Sequence, residues 1–130
     1  MPKRKPLFLV CIVCASLLLI VGCTVDSNYN VINAEEPRDI ALDWLRNHTG
    51  SEAPPENINW KGKDISPFGH AGSVTVEFTS GDWEIIVSFS SDPPETREYR
   101  VEVTNQKADR HWQLKVLPDK TVEEVSTGDS

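Results

Sequence analysis

Between positions 73 and 90 the chain alternates: Val74, Val76 and Phe78 are spaced by Thr75 and Glu77, and Trp83, Ile85, Val87 and Phe89 by Glu84, Ile86 and Ser88. A period of two belongs to a strand with one buried face. The intervening Ser80-Gly81 predicts a β-hairpin. A two-residue loop there sets Thr79 against Asp82, Phe78 against Trp83, Val76 against Ile85 and Val74 against Val87. A second alternating pair follows the Asp92-Pro93-Pro94-Glu95 break, with Tyr99, Val101 and Val103 answered by Trp112, Leu114 and Val116. Two registers keep these residues on one face. Pairing Val101 with Trp112 sets Glu102 beside His111, whereas pairing Val103 with Trp112 sets Arg100 against Lys115, a like-charge contact, so the first is expected. Ile58 and Trp60 open a further strand before Gly62, and 121–125 adds a short edge strand.

Ahead of the strands the period lengthens. Ile40, Ala41, Trp44, Leu45 and His48 make one stripe of a helix, with Arg38, Asp39, Asp43, Arg46 and Asn47 on its other face. Glu35, Glu36 and Pro37 suit the first turn and Gly50 the stop. The expected domain, 35–125, is therefore α+β, with one N-terminal amphipathic helix packed on a four- to six-stranded antiparallel sheet. Residues 23–34, rich in Asn and without either period, read as a flexible tether, and 126–130 as a disordered tail. One helix covers one face of such a sheet. The opposite face, carrying Glu77, Glu84, Ile86, Arg100, Glu102, His111 and Lys115, is expected to stay open to solvent as the candidate binding face. The loop at its edge, 68–72, contains Gly69 and Gly72 and is a second place where a partner could bind.

Residues 1–22 have a different composition. Lys3, Arg4 and Lys5 precede an uncharged apolar run over 7–21, which closes on Ile20-Val21-Gly22-Cys23. The run falls short of the roughly 20 apolar residues that a helix needs to cross a bilayer, so an export signal is the better reading. The closing tetrapeptide resembles the processing box of bacterial lipoproteins, in which a small residue precedes the cysteine that becomes the lipidated mature N-terminus. The resemblance implies cleavage after 1–22, a thioether-linked diacylglycerol on Cys23 with a further N-acyl chain, and residence at the cell membrane or outer membrane. Thr24, in place of Asp after the cysteine, is similar to lipoproteins sent on to the outer membrane. Multiple acyl chains anchor a protein stably without any span.

Beyond the leader the chain holds all 20 acidic side chains but only 10 of the 13 basic ones. Such a surface repels phosphate backbones, so nucleic acid is not an expected partner. Cys11 and Cys14 have redox-motif spacing but lie in the leader, which leaves Cys23 as the mature domain's single cysteine and no disulfide to staple it.

Candidate chemistry is sparse. No Gly-x-Ser-x-Gly elbow occurs, and His48, His70 and His111 are too scattered for a spacing-based zinc motif. No cofactor or metal is expected. The helix followed by strands, ending in Trp112-Gln113-Leu114-Lys115-Val116-Leu117-Pro118-Asp119-Lys120-Thr121-Val122, resembles the PepSY and cystatin-like group, although the glycine usual in the Asp-containing turn is missing. The stretch around Ser80-Gly81-Asp82-Trp83 is similar to small bacterial lipoproteins with one helix and a Gly-Asp-Trp hairpin. Neither resemblance supplies a catalytic residue. The expectation is a lipid-anchored, non-enzymatic envelope domain that binds a protein, peptide or wall component. The alternative is a small hydrolase or metal-binding protein using His70 or His111.

Overall fold

A computed structural model describes residues 29–67, 72–90 and 92–125. One helix, α1, covers 29–49 and packs on a six-stranded antiparallel sheet in the order of the sequence: β1 (Lys61–Asp64), β2 (Ser73–Ser80), β3 (Trp83–Ser90), β4 (Tyr99–Asn105), β5 (Arg110–Val116) and β6 (Val122–Glu124). This is the α+β architecture that the periodicity predicts. The leader, Cys23, His70 and the tail 126–130 lie outside the described residues. Among those described, no helix is long and apolar enough to cross a membrane.

The helix begins earlier than its local signals imply. Residues 29–34, expected in the tether, are helical, and Pro37 sits well inside rather than in the first turn. A proline within a helix removes a donor and crowds the preceding turn at a cost of about 3 kcal/mol. Tertiary contacts offset that cost. Ala34 is fully buried, Val31 packs against the core, and Asn30 Nδ2 donates to Asp64 Oδ2 on β1 at 2.7 Å. The buried stripe consequently differs from the expected one: Leu42 joins Ala41 and Leu45 inside, while His48 is exposed and stacks on Trp44 with ring centroids 3.8 Å apart. Arg38 also turns inward, its guanidinium 4.6 Å over the Phe78 ring, so its charge is satisfied at the core margin. Gly50 ends the helix in the left-handed conformation at φ +63.

Every strand from β2 to β5 alternates as expected, and its inner residues meet the helix. Val76, Phe78, Ile85, Val87, Val101, Val103, Leu114 and Val116 are all at most 2% exposed. Both hairpin registers, however, are shifted by two positions from those expected. In the first, Ser80 pairs with Trp83, Phe78 with Ile85, Val76 with Val87 and Val74 with Phe89, so the loop is Gly81-Asp82 rather than Ser80-Gly81. Gly81 then occupies the first loop position with φ +57, where a primed turn needs positive φ and glycine supplies it without a Cβ clash. Trp83 is therefore half-buried at the sheet's end, stacked on Trp112 at 6.4 Å, rather than opposite Phe78.

In the second hairpin Val103 pairs with Trp112 and Arg100 with Lys115, the register set aside on charge grounds. Turn chemistry outweighs the charge contact. The expected register leaves Gln106-Lys107 as a two-residue loop with no residue suited to positive φ. The observed loop has four residues, closed by Asn105 opposite Arg110. The Asn105 side-chain carbonyl accepts from the N–H of Lys107 at 3.2 Å and of Ala108 at 3.1 Å, and Asp109 takes φ +51. Glu98 relieves the repulsion by pairing with Lys115 Nζ at 3.3 Å.

The edge strands follow their signals with small offsets. Ile58 and Trp60 precede β1, which starts at Lys61, and β6 occupies the centre of 121–125. In the β5–β6 turn, where glycine is missing, Lys120 itself adopts φ +69 while Asp119 Oδ1 accepts from Thr121 N and Oγ1 at 3.1 and 2.6 Å.

Candidate functional site

Because side chains alternate across a strand, burying one face under α1 leaves the other outside. The observed registers order that outer face into rows. One row runs Lys61, Thr79, Glu84, Thr104, His111; the next runs Lys63, Glu77, Ile86, Glu102, Gln113; the third runs Thr75, Ser88, Arg100, Lys115, Glu123. All six expected face residues, Glu77, Glu84, Arg100, Glu102, His111 and Lys115, are brought together here and are half-buried or exposed. Ile86, the single aliphatic residue of these rows, lies between Glu77 and Glu102 with Glu84 beside it on β3, and the cations Arg100 and Lys115 are neighbours in the next row.

Much of this charge is not consumed internally. Among the described residues Lys61, Lys63 and Arg100 make no salt bridge, and neither do Glu77 and Glu102. The polar contacts on the face are few and mostly long. Gln106 Nε2 donates to Glu84 Oε2 at 3.2 Å, and Gln113 Nε2 to Glu102 Oε1 at 3.5 Å. A surface already satisfied by its own ion pairs has little to offer a partner, whereas unpaired charges of both signs give orientation and selectivity.

His111 stands opposite Thr104 rather than Glu102, with its Nδ1 2.9 Å from Thr104 Oγ1. A hydroxyl beside an imidazole is the start of a nucleophile–base pair, but acyl transfer also needs a third group orienting the ring and convergent N–H donors for the oxyanion. Here the ring's other nitrogen lies 3.5 Å from Gln113 Nε2, and β6 pairs with β5 only over Leu114–Val116, so among the described residues the edge of β5 beside His111 has no strand partner. Among the described residues no three His, Cys, Asp or Glu side chains gather at metal-binding geometry.

At one end the face runs into a cleft of about 410 Å³, lined by Gly72, Ser73, Ser88, Ser90, Asp92, Thr96, Glu98 and Arg100 together with Phe89. Alternation alone points Ser88 and Ser90 outward. What it cannot show is that 92–98 folds back to wall the cleft. That wall is held by Arg97, whose Nε and Nη2 donate to Asp92 O at 3.1 and 2.9 Å while its guanidinium lies 4.9 Å over Phe89. Ser90 Oγ donates to Asp92 Oδ2 at 2.8 Å from the cleft floor. Of the expected edge loop only Gly72 is described, and it lines this cleft.

Two carboxylates are held below their ordinary range. At Asp64 burial acts to raise the pKa, but hydrogen bonds from Asn30 and Ser66 outweigh it. At Asp119 the side chain and backbone of Thr121 favour the charged form. Both stabilise turns and the helix–sheet junction rather than the outer face. Comparison with family models, curated proteins and solved structures gave no match.

Proposed function

We propose that this chain is a lipid-anchored, non-enzymatic interaction domain of a bacterial cell envelope, held at the membrane through diacylglycerol on Cys23 and presenting the open face of its sheet to an envelope protein or peptide. The observation that carries the docking role is the row pattern itself: an outer face on which, among the described residues, Lys61, Lys63, Arg100, Glu77 and Glu102 make no salt bridge and Glu77 and Glu102 flank Ile86. Mixed charge with little apolar area suits a reversible complex rather than an obligate one. The anchor rests on the basic and apolar leader and its Ile20-Val21-Gly22-Cys23 terminus.

The test places a photo-crosslinking residue at Glu77 on the open face and, separately, at Asp43 on the exposed side of the helix, in cells of a bacterial host. A discrete partner band from position 77 alone, lost when Arg100→Glu and Glu102→Lys are combined, supports the reading. Equal crosslinking from position 43, or a band that survives the charge reversals in a folded protein, refutes it. In parallel, Cys23→Ser should leave unprocessed, unacylated precursor by mass spectrometry. Normal maturation of that variant refutes the anchor.

A further inference from the structure

The large hydrophobic side chains most exposed among the described residues are Tyr29, at 66%, and Ile32, at 62%. They lie one helical turn apart, so they form one patch on the outer side of the first described turn of α1. That turn is fixed to the sheet: Asn30, between them, hydrogen-bonds Asp64, and Val31 packs against the core. The patch cannot fold inward to hide. It is displayed on a rigid mount at the end of the helix nearest Cys23.

We infer that Tyr29 and Ile32 insert into the headgroup–acyl boundary of the bilayer that carries the protein's lipid anchor, fixing the orientation of the domain on the membrane. The inference rests on acylation of Cys23. Because α1 already occupies 29–34, only five residues separate the cysteine from Tyr29. Six residue steps reach at most about 22 Å even when fully extended. Each headgroup layer is itself about 5–8 Å thick, so the patch stays within a short distance of lipid whatever path those residues take. Tyrosine, with an apolar ring and a polar tip, and an adjacent aliphatic side chain have the chemistry of the membrane interface. Glu35, Glu36 and Asp39 follow directly along the helix and disfavour deeper burial or a helix lying flat on an anionic surface. The contact is therefore confined to the first described turn, and the residues of α1 that follow it lead away from the bilayer.

The experiment uses the acylated protein expressed from its complete sequence, purified and reconstituted in phosphatidylcholine vesicles and in phosphatidylethanolamine–phosphatidylglycerol vesicles. With Cys23 acylated, a cysteine introduced as Ile32→Cys or Asn47→Cys can be labelled uniquely with an environment-sensitive fluorophore. Position 47 lies about 22 Å further along the helix. At position 32 the emission should shift to the blue and be quenched by lipids carrying a nitroxide near the headgroup, in both vesicle types, and Tyr29→Ser should reduce that quenching. At position 47 neither change should occur. Water-like emission at both positions in a protein whose mass shows acylation overturns the inference while leaving the anchor intact. A blue shift without nitroxide quenching means that protein, a second copy included, covers the patch, and also overturns it. An unacylated mass overturns the anchor and the inference together.

Discussion

Replacing Gly62 with alanine sets two opposing effects on a single methyl group. Gly62 has no positive φ, so alanine fits its backbone, and restricting the unfolded chain should by itself stabilise the fold by about 0.4–1 kcal/mol. The added Cβ, however, falls 2.5 Å from Val31 Cγ1 and 2.9 Å from Phe78 Cε1. Neither neighbour yields easily: Val31 is β-branched and stiff at χ1, and Phe78 is only 1% exposed. Overpacking of this kind costs about 1–3 kcal/mol, and with both χ1-stiff Val31 and buried Phe78 in the way the upper half of that range applies, about 2–3 kcal/mol, so the clash should win and destabilise the domain by about 1–2.6 kcal/mol net. In a domain of this size each kcal/mol lowers the melting temperature by about 4–8 °C. Thermal and urea unfolding of Gly62→Ala, Val31→Ala and the double variant measure the effect. With Val31 trimmed, the alanine at 62 should lose at least half its cost, because the closest obstacle is gone. An alanine variant as stable as the parent, or equally harmful with and without Val31, would refute the docking of the helix start over β1.

The buried stripe of α1 is tested by contrast: Leu42→Ala should cost about 2–5 kcal/mol in urea unfolding and His48→Ala less than about 1, whereas the opposite order would restore the stripe expected from the sequence. Asp64 gives a pH dependence of known sign. Its folded pKa lies below the unfolded value of 3.8, so its stabilisation is complete above that value and disappears as pH falls through the folded pKa. The gap in unfolding midpoint between the parent and Asp64→Ala should therefore narrow on acidification from pH 6 to below 3.8, and a gap that stays constant or widens would show that the charged form is not favoured in the fold.

The one-sided pattern of this domain was present in the sequence because it depends only on periodicity. Alternation from Val74 to Phe78, Trp83 to Phe89, Tyr99 to Val103 and Trp112 to Val116 determined which side chains go inward, and a register slip of two residues leaves that choice unchanged. For the same reason the open face and its charged members were legible. The registers themselves were not decided by side-chain pairing. Turn chemistry selected them: glycine at the first position of the Gly81-Asp82 loop, and Asn105 and Asp109 closing a four-residue loop. In the first hairpin the apolar pairs fit either loop placement, and in the second the Arg100–Lys115 contact argues for the other register until Glu98 pairs with Lys115 in three dimensions.

The start of the helix, by contrast, belongs to the tertiary structure alone. Local signals put Glu35, Glu36 and Pro37 in the first turn, whereas the burial of Ala34, the close approach of Val31 to Gly62 and the Asn30–Asp64 bond hold 29–34 in the helix as well. The cleft at the end of the sheet is decided in the same way, because its wall is held where Arg97 bonds the backbone carbonyl of Asp92. Periodicity reports which side of an element is apolar. Where that element begins, and what folds over its end, depend on contacts between residues distant in sequence, which no local pattern encodes.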